Sequence, residues 1–301
     1  MKKEILIVIL IFVFGIAISC VSKLSKPVLA ETNSEEMIQP TRAELVMKAL
    51  AQAYSDQIEQ LEYQNDDWTI LMRGTWYYFS NGRLLPEDQL ENAENYRPMQ
   101  FYNYPKELPE WQERSPENSQ RFRNRSQSGT QNTTSRSAFF VENLWQTTDR
   151  AEAEKQQVSL TFLGKSIRMH KSVEEKMKII EELILSAAET DPEVKTWIDS
   201  LAPMQSWNWR NIANSVARSN HSYGIAIDLL PQSLGGQQTY WLWAARDRDD
   251  WWNVPYTERY HPPVVAIKAF EDNGFIWGGK WGLFDTMHFE YRPEILILNG
   301  F

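Results

Sequence analysis

Two short stretches hold the residues best suited to chemistry. They are Ser219-Asn220-His221-Ser222-Tyr223-Gly224-Ile225-Ala226-Ile227-Asp228 and Asp285-Thr286-Met287-His288-Phe289-Glu290-Tyr291. In the first, the residues from Gly224 onward read as a strand, with Ala226 and Asp228 on one face and Ile225 and Ile227 on the other. A carboxylate on so apolar a strand is costly unless something positive compensates it, and a metal ion would do so. His221 comes just before the strand, where a loop can fold it back beside Asp228. In the second stretch Met287, Phe289 and Tyr291 alternate with His288 and Glu290, so a strand puts His288 and Glu290 on one face and Asp285 at its entrance. Together they offer two imidazoles and one carboxylate as ligands, with a carboxylate to spare. Catalytic zinc commonly keeps three protein ligands and an open position for water, and a spare carboxylate is what a general base requires. The same residues also admit a plainer reading, in which the histidines are satisfied in the core and the aspartate caps or pairs.

The rest of the composition sharpens the choice. Cys20 is the single cysteine, so neither an intramolecular disulfide nor a cysteine zinc site can form. Any transition metal must then be held by His and carboxylate, and the four histidines are His170, His221, His261 and His288. His170 sits in a strand-to-helix turn and His261 before two prolines, so both read as structural or exposed. Glu290 reads as a hydrogen-bond partner of a ligand. The net charge of −9 gives no electrostatic footing for a nucleic-acid partner. No HExxH, phosphate-loop or dinucleotide pattern occurs, and Gly278-Gly279 reads as close backbone packing. The 13 tryptophans are mainly core, although Trp241, Trp243, Trp251 and Trp252, which bracket the charged run 246–250, either wall a cleft or pin a surface loop.

The run from Ser219 to Asp228 resembles the Ser-x-His-x-x-Gly-x-Ala-x-Asp signature of the zinc D-Ala-D-Ala carboxypeptidases, the peptidase M15 or VanY-like group. Asp285-x-x-His288 resembles the second signature of that family. Trp209-Arg210-Asn211-Ile212 and Phe275-Ile276-Trp277-Gly278-Gly279-Lys280-Trp281 agree as flanking words, so the resemblance spans about residues 162–291. It implies Zn2+ held by His221, Asp228 and His288. Asp285 would take a proton from the attacking water and pass it to the departing amine. An arginine would hold the oxyanion: Arg210 from its context, with Arg218 and Arg168 in reserve. Ser219, which would also orient the ligands, is expected to contact substrate together with Tyr223 and Trp281. The fold implied is α+β, a small antiparallel sheet with flanking helices carrying the zinc site, as in hedgehog and D-Ala-D-Ala peptidase domains.

These segments must be positioned by the chain around them. Lys2, Lys3 and the apolar run from Ile5 to Ile18 read as a signal peptide over residues 1–20. Ala17-Ile18-Ser19-Cys20 resembles a lipobox, which would lipidate Cys20; Val28-Leu29-Ala30 is the competing cleavage site. Residues 21–40 read as a tether. Thr41 to Glu44 forms a capping box opening a helix to about Tyr63, followed by a β-like aromatic run from Trp68 to Phe79. Residues 41–111 are taken as an accessory region, 112–137 as a flexible linker rich in Ser, Asn, Gln and Arg, and 138–301 as the peptidase domain. Within that domain, strands are predicted at Val158–Phe162 and Ile167–Met169. Helices are predicted after Ser172, after Asp191 and from the Pro262-Pro263 pair to Gly274.

The expected function is zinc-dependent hydrolysis of peptidoglycan stem peptides, foremost at D-Ala-D-Ala. An L-Ala-D-Glu or cross-link endopeptidase is the alternative within the class, and a non-catalytic wall-binding lipoprotein the alternative outside it. The expected location is periplasmic or on the outer cell surface, with membrane contact through the N-terminal lipid or anchor alone.

Overall fold

The structure is a computed structural model describing residues 39–127, 135–213 and 215–301. The leader, its Cys20 and nearly all of the tether expected before residue 41 lie outside the described residues. In chain order, α1 (Arg42–Ala53) precedes β1 (Ile58–Gln64), β2 (Asp67–Met72), β3 (Thr75–Tyr78) and β4 (Leu85–Pro86). There follow α2 (Pro116–Gln127), α3 (Phe139–Trp145), α4 (Arg150–Lys155), β5 (Gln157–Phe162), β6 (Lys165–His170), α5 (Glu174–Thr190) and α6 (Pro192–Ser200). The last part holds α7 (Asn220–Tyr223), β7 (Ala226–Asp228), α8 (Trp241–Asp247), α9 (Val264–Asp272), β8 (Phe275–Trp277), β9 (His288–Tyr291) and α10 (Pro293–Leu298). The described strands form antiparallel sheets in the orders β1-β2-β3-β4, β5-β6 and β7-β9-β8. Small antiparallel sheets flanked by helices make the fold α+β.

Local chemistry explains most boundaries. Thr41 accepts the Glu44 N–H and opens α1 as the capping box predicts. The helix ends at Ala53, ten residues before the expected Tyr63. Residues 58–64 instead pair with β2 across Asn65-Asp66, both at positive φ (51° and 61°), the two-residue turn whose twist suits a hairpin. β2–β3 and β5–β6 turn the same way, through Arg73-Gly74 and Leu163-Gly164. Ser172 does not cap α5; the His170 side chain takes the Ser172 N–H and starts a short 3-10 turn ahead of the helix. α6 begins on Asp191, which accepts the Glu193 N–H. α9 runs between Pro263 and Gly274 as the sequence predicts. Within the stretch expected to be flexible, Pro116–Gln127 is helical. It gains a tertiary partner there: Phe122 packs edge-on against Trp251 at 5.6 Å, and Arg114 stacks over Phe122 at 4.1 Å.

The core joins both halves of Pro40–Phe301, which forms one compact unit. Val46, Met47 and Leu50 of α1, Ile180 and Ile184 of α5, Phe270 of α9 and Phe289 of β9 are all buried in one cluster. Phe270 and Phe289 stack at 4.1 Å. Each such side chain contributes about 1.5–3 kcal/mol when removed from water. α1 also reaches α10, where the Tyr54 hydroxyl donates to Glu294 at 2.7 Å. This packing holds β9 rigidly in the middle of its sheet, with β7 on one side and β8 on the other.

Candidate metal centre

The three-stranded sheet fixes the geometry of the site. Asp228 and His288 are directly opposite each other in the β7–β9 register, and Ala226 is opposite Glu290. His221 comes from α7, a single turn opened by Ser219, whose hydroxyl accepts the His221 N–H. Gly224 closes that turn at φ +76°, where a Cβ would also lie 2.0 Å from Oε1 of Gln157. Glycine takes that φ without strain, and the chain reverses there to enter β7.

His221 Nδ1 donates to the Ser206 carbonyl at 2.7 Å, which leaves the Nε2 lone pair facing Asp228 Oδ1 at 3.2 Å. His288 turns Nδ1 to the same oxygen at 2.8 Å and Nε2 to Glu290 Oε2 at 3.2 Å. The two imidazole rings are 5.1 Å apart. One ligand atom from each of His221, Asp228 and His288 lies within 4.8 Å of the others, and all three residues are buried. Burial works to raise the Asp228 pKa, but the charges and hydrogen bonds of His221 and His288 hold it well below the usual carboxylate range. Burial works to lower that of His288, and hydrogen bonds to Asp228 and Glu290 carry it well above the usual histidine value. A converging pair of imidazoles with one ionised carboxylate, each ring braced by a carbonyl or carboxylate behind it, fits a divalent metal.

Residues 213–291 match the family model of a D-alanyl-D-alanine carboxypeptidase. That segment is thereby similar to a peptidase M15 domain. Residues 46–101 match a domain of unknown function. No solved structure matches the chain. The match over residues 213–291 and the buried triad together support a metal-dependent peptidase whose candidate ligands are His221, Asp228 and His288.

Around the triad, the structure gathers some expected residues and sets others apart. Asp285 enters β9 three residues before His288, and its Oδ1 is buried with no hydrogen-bond partner among the described residues. Burial pushes its carboxyl up to about 8, with His288 and Arg210 pulling down and Asp228 and Glu290 pushing up. Arg210 is therefore within electrostatic reach of Asp285. Its backbone is clamped beside α7: Ser222 Oγ accepts the Arg210 N–H at 2.8 Å and donates to the Arg210 carbonyl at 2.7 Å. Of the reserves, Arg168 lies over Trp207 at 4.4 Å and meets Glu154 at 3.5 Å, while Arg218 lies over Trp209 at 4.0 Å. Trp281 is beside the centre, 5.5 Å from the His288 ring. Ser219 is buried as the cap of α7. Tyr223 is buried too, with Glu142 and Arg218 as its charged neighbours.

Tyr240 went unnoticed in the sequence. It bridges to Asp285 through the backbone, and its hydroxyl is pushed up to about 12 by burial and then by Asp285, with Arg210 opposing. It lies within the insertion flagged by tryptophan clusters, but no spacing rule links it to Asp285. Gly278 is the other such residue: a Cβ there would be 2.4 Å from the Asp285 carbonyl oxygen, so the close packing expected of Gly278-Gly279 is what places the carboxylate. Trp251 and Trp252 are buried with Phe284, and Trp252 shares with Trp281, Trp111 and Tyr256 the lining of a cleft of about 230 Å³. His170 and His261 are structural. His170 donates from Nε2 to the Trp145 carbonyl at 2.9 Å, and His261 packs on Trp277 at 5.3 Å.

Proposed function

We propose that the protein is an exported zinc carboxypeptidase that removes the terminal D-alanine from peptidoglycan stem peptides. The observation that carries this reading is the convergence of His221, Asp228 and His288 with the buried, unpartnered Oδ1 of Asp285 beside them. Two nitrogens and one oxygen are a donor set that suits Zn2+. When bound, zinc polarises the scissile carbonyl and brings the pKa of water to ~7. The chain's own residues do the rest. Ser206 and Glu290 fix the orientation of the two imidazoles. Asp285 takes the proton of the attacking water and returns it to the leaving amine. The Arg210 guanidinium meets the oxygen on which negative charge develops. Trp281 walls the substrate at the edge of the centre.

A second reading rests on the cleft that runs from Trp281 past Trp252 to Trp111. An aromatic-lined cleft next to the ring that neighbours His288 favours a substrate that extends past the scissile bond, such as one cut at L-Ala-D-Glu. Purified muropeptides incubated with the enzyme and weighed by mass spectrometry separate the two. Free D-alanine supports the carboxypeptidase. A cut beside the sugar-linked alanine supports the endopeptidase. No cleavage by a correctly folded, zinc-loaded protein refutes both in favour of wall binding alone. Lipid attachment at Cys20 is tested by labelled fatty acid, which Cys20→Ser should fail to incorporate.

A further inference from the structure

A second cavity, of about 90 Å³, is lined by residues of α1, α3 and α7 among others. Arg136, Arg218 and Arg292 all line it. Arg292 is committed to carboxylates, through Nε to Glu294 and Nη1 to Glu290 at 3.6 Å. Arg136 and Arg218 have no carboxylate at ion-pair distance among the described residues; Glu142 influences Arg218 only at longer range. Nε of Arg218 is buried without a hydrogen-bond partner, and so is Oγ of Ser137 on the same wall. Burial, then the charges of Arg292 and Arg97, disfavour the Arg136 cation, and Glu290 and Tyr102 offset them only in part. Like charges and unmade hydrogen bonds gathered in a partly desolvated cavity are unfavourable unless an anion completes them. Leu50, Phe140 and Leu144 make part of the lining apolar. A small hydrated ion would leave that part unused, whereas an acid with a carbon chain would cover it.

We propose that this cavity binds the carboxylate of an acidic peptide, with Arg136 and Arg218 as its guanidinium partners and the apolar lining against the adjoining carbons. Arginine's planar fork matches a carboxylate through paired N–H···O bonds. The site is separate from the metal but adjacent to it. Asn220 lines the cavity and donates to Glu290 Oε2 at 2.6 Å, and that oxygen is 3.2 Å from His288 Nε2. That the acidic peptide is a cell-wall stem peptide rests on the function proposed above; the acid-binding chemistry does not.

The test is calorimetric titration of the full protein, stripped of metal by chelation, with N-acetyl-alanyl-glutamate, its uncharged diamide and inorganic phosphate. The dipeptide should bind at one site, Arg136→Gln and Arg218→Gln should each weaken it at least tenfold, and the diamide should not bind. Arg218→Lys should recover part of the affinity, which a merely misfolded variant would not. His221→Ala should leave dipeptide binding intact. Equal affinity in wild type and both glutamine variants, equal affinity for acid and diamide, phosphate binding tighter than the dipeptide, or loss of binding in His221→Ala would each overturn the proposal. Failure of the peptidase reading would show differently, as absence of muropeptide cleavage with dipeptide binding unchanged.

Discussion

Replacing Asp285 by Asn should make the metal-stripped protein more stable while slowing the hydrolysis that the metal-loaded protein performs. In the folded chain burial holds the Asp285 carboxyl at about 8, against an ordinary value of 3.8. The folded state therefore keeps a proton that the unfolded state releases. Stability is fully present below pH 3.8 and is lost as pH rises through 8. At pH 7 the linkage ceiling is about 4 kcal/mol, from 1.36 kcal/mol for each unit above the ordinary value. An effective dielectric nearer ~20 than ~4, as buried protein sites show, trims this to ~1–2 kcal/mol. Asn has nearly the same shape and no proton to lose. The variant should melt about 3–6 °C higher than wild type at pH 7 in chelator, with the difference closing toward pH 4. Added Zn2+ should narrow the gap by compensating the wild-type carboxylate. Hydrolysis should fall ~10²–10⁴-fold, the usual contribution of a positioned general base. Scanning fluorimetry at both pH values with a muropeptide assay checks this. A variant less stable than wild type at pH 7, or with the same stability difference at both pH values, refutes the electrostatic account of Asp285.

Other sites give independent expectations. Gly278→Ala should reduce kcat at least tenfold with metal content unchanged, because the new Cβ would be 2.4 Å from the Asp285 carbonyl and must displace the base. Burial holds His170 down to about 4 from 6.5, so the folded protein resists a proton that the unfolded chain accepts. That linkage should remove up to ~3 kcal/mol of stability as pH falls from 6.5 to 4, and urea titrations of His170→Gln should lack this component. Lys280 and Glu271 form an ion pair at 2.7 Å with side chains 4% and 9% exposed. The Tyr104 hydroxyl also donates to Glu271. Lys280→Met leaves that carboxylate buried without its cation and should cost about 3–5 kcal/mol in a denaturant titration.

The parts of the site that lie on regular strands were legible in the sequence. Alternation in Met287–Tyr291 gave β9 and set His288 and Glu290 on one face, and the apolar context of Asp228 pointed to a compensated charge. The capping residues Thr41 and Asp191 and the terminal Gly274 marked their helices because each satisfies backbone groups locally. What depended on contacts distant in sequence was not legible. β1 looked like a continuation of α1, because Leu61 fits a helical period as well as a strand, and only the Asn65-Asp66 hairpin decides it. α2 has no apolar period and is held by Trp251 and Arg114 instead. Tyr240, Ser206 and Ser222 act on the site through backbone bridges and carbonyls that no spacing rule encodes. The arginine cavity joins residues from five separate segments of the chain.

Metal analysis of purified protein, wild type beside His221→Ala, His288→Ala and Asp285→Asn, bears most directly on the centre itself. One zinc per chain should be found in the wild type and in Asp285→Asn, and almost none in either histidine variant. Zinc retained after both histidines are replaced in turn, or absent from an active wild type, would contradict the site.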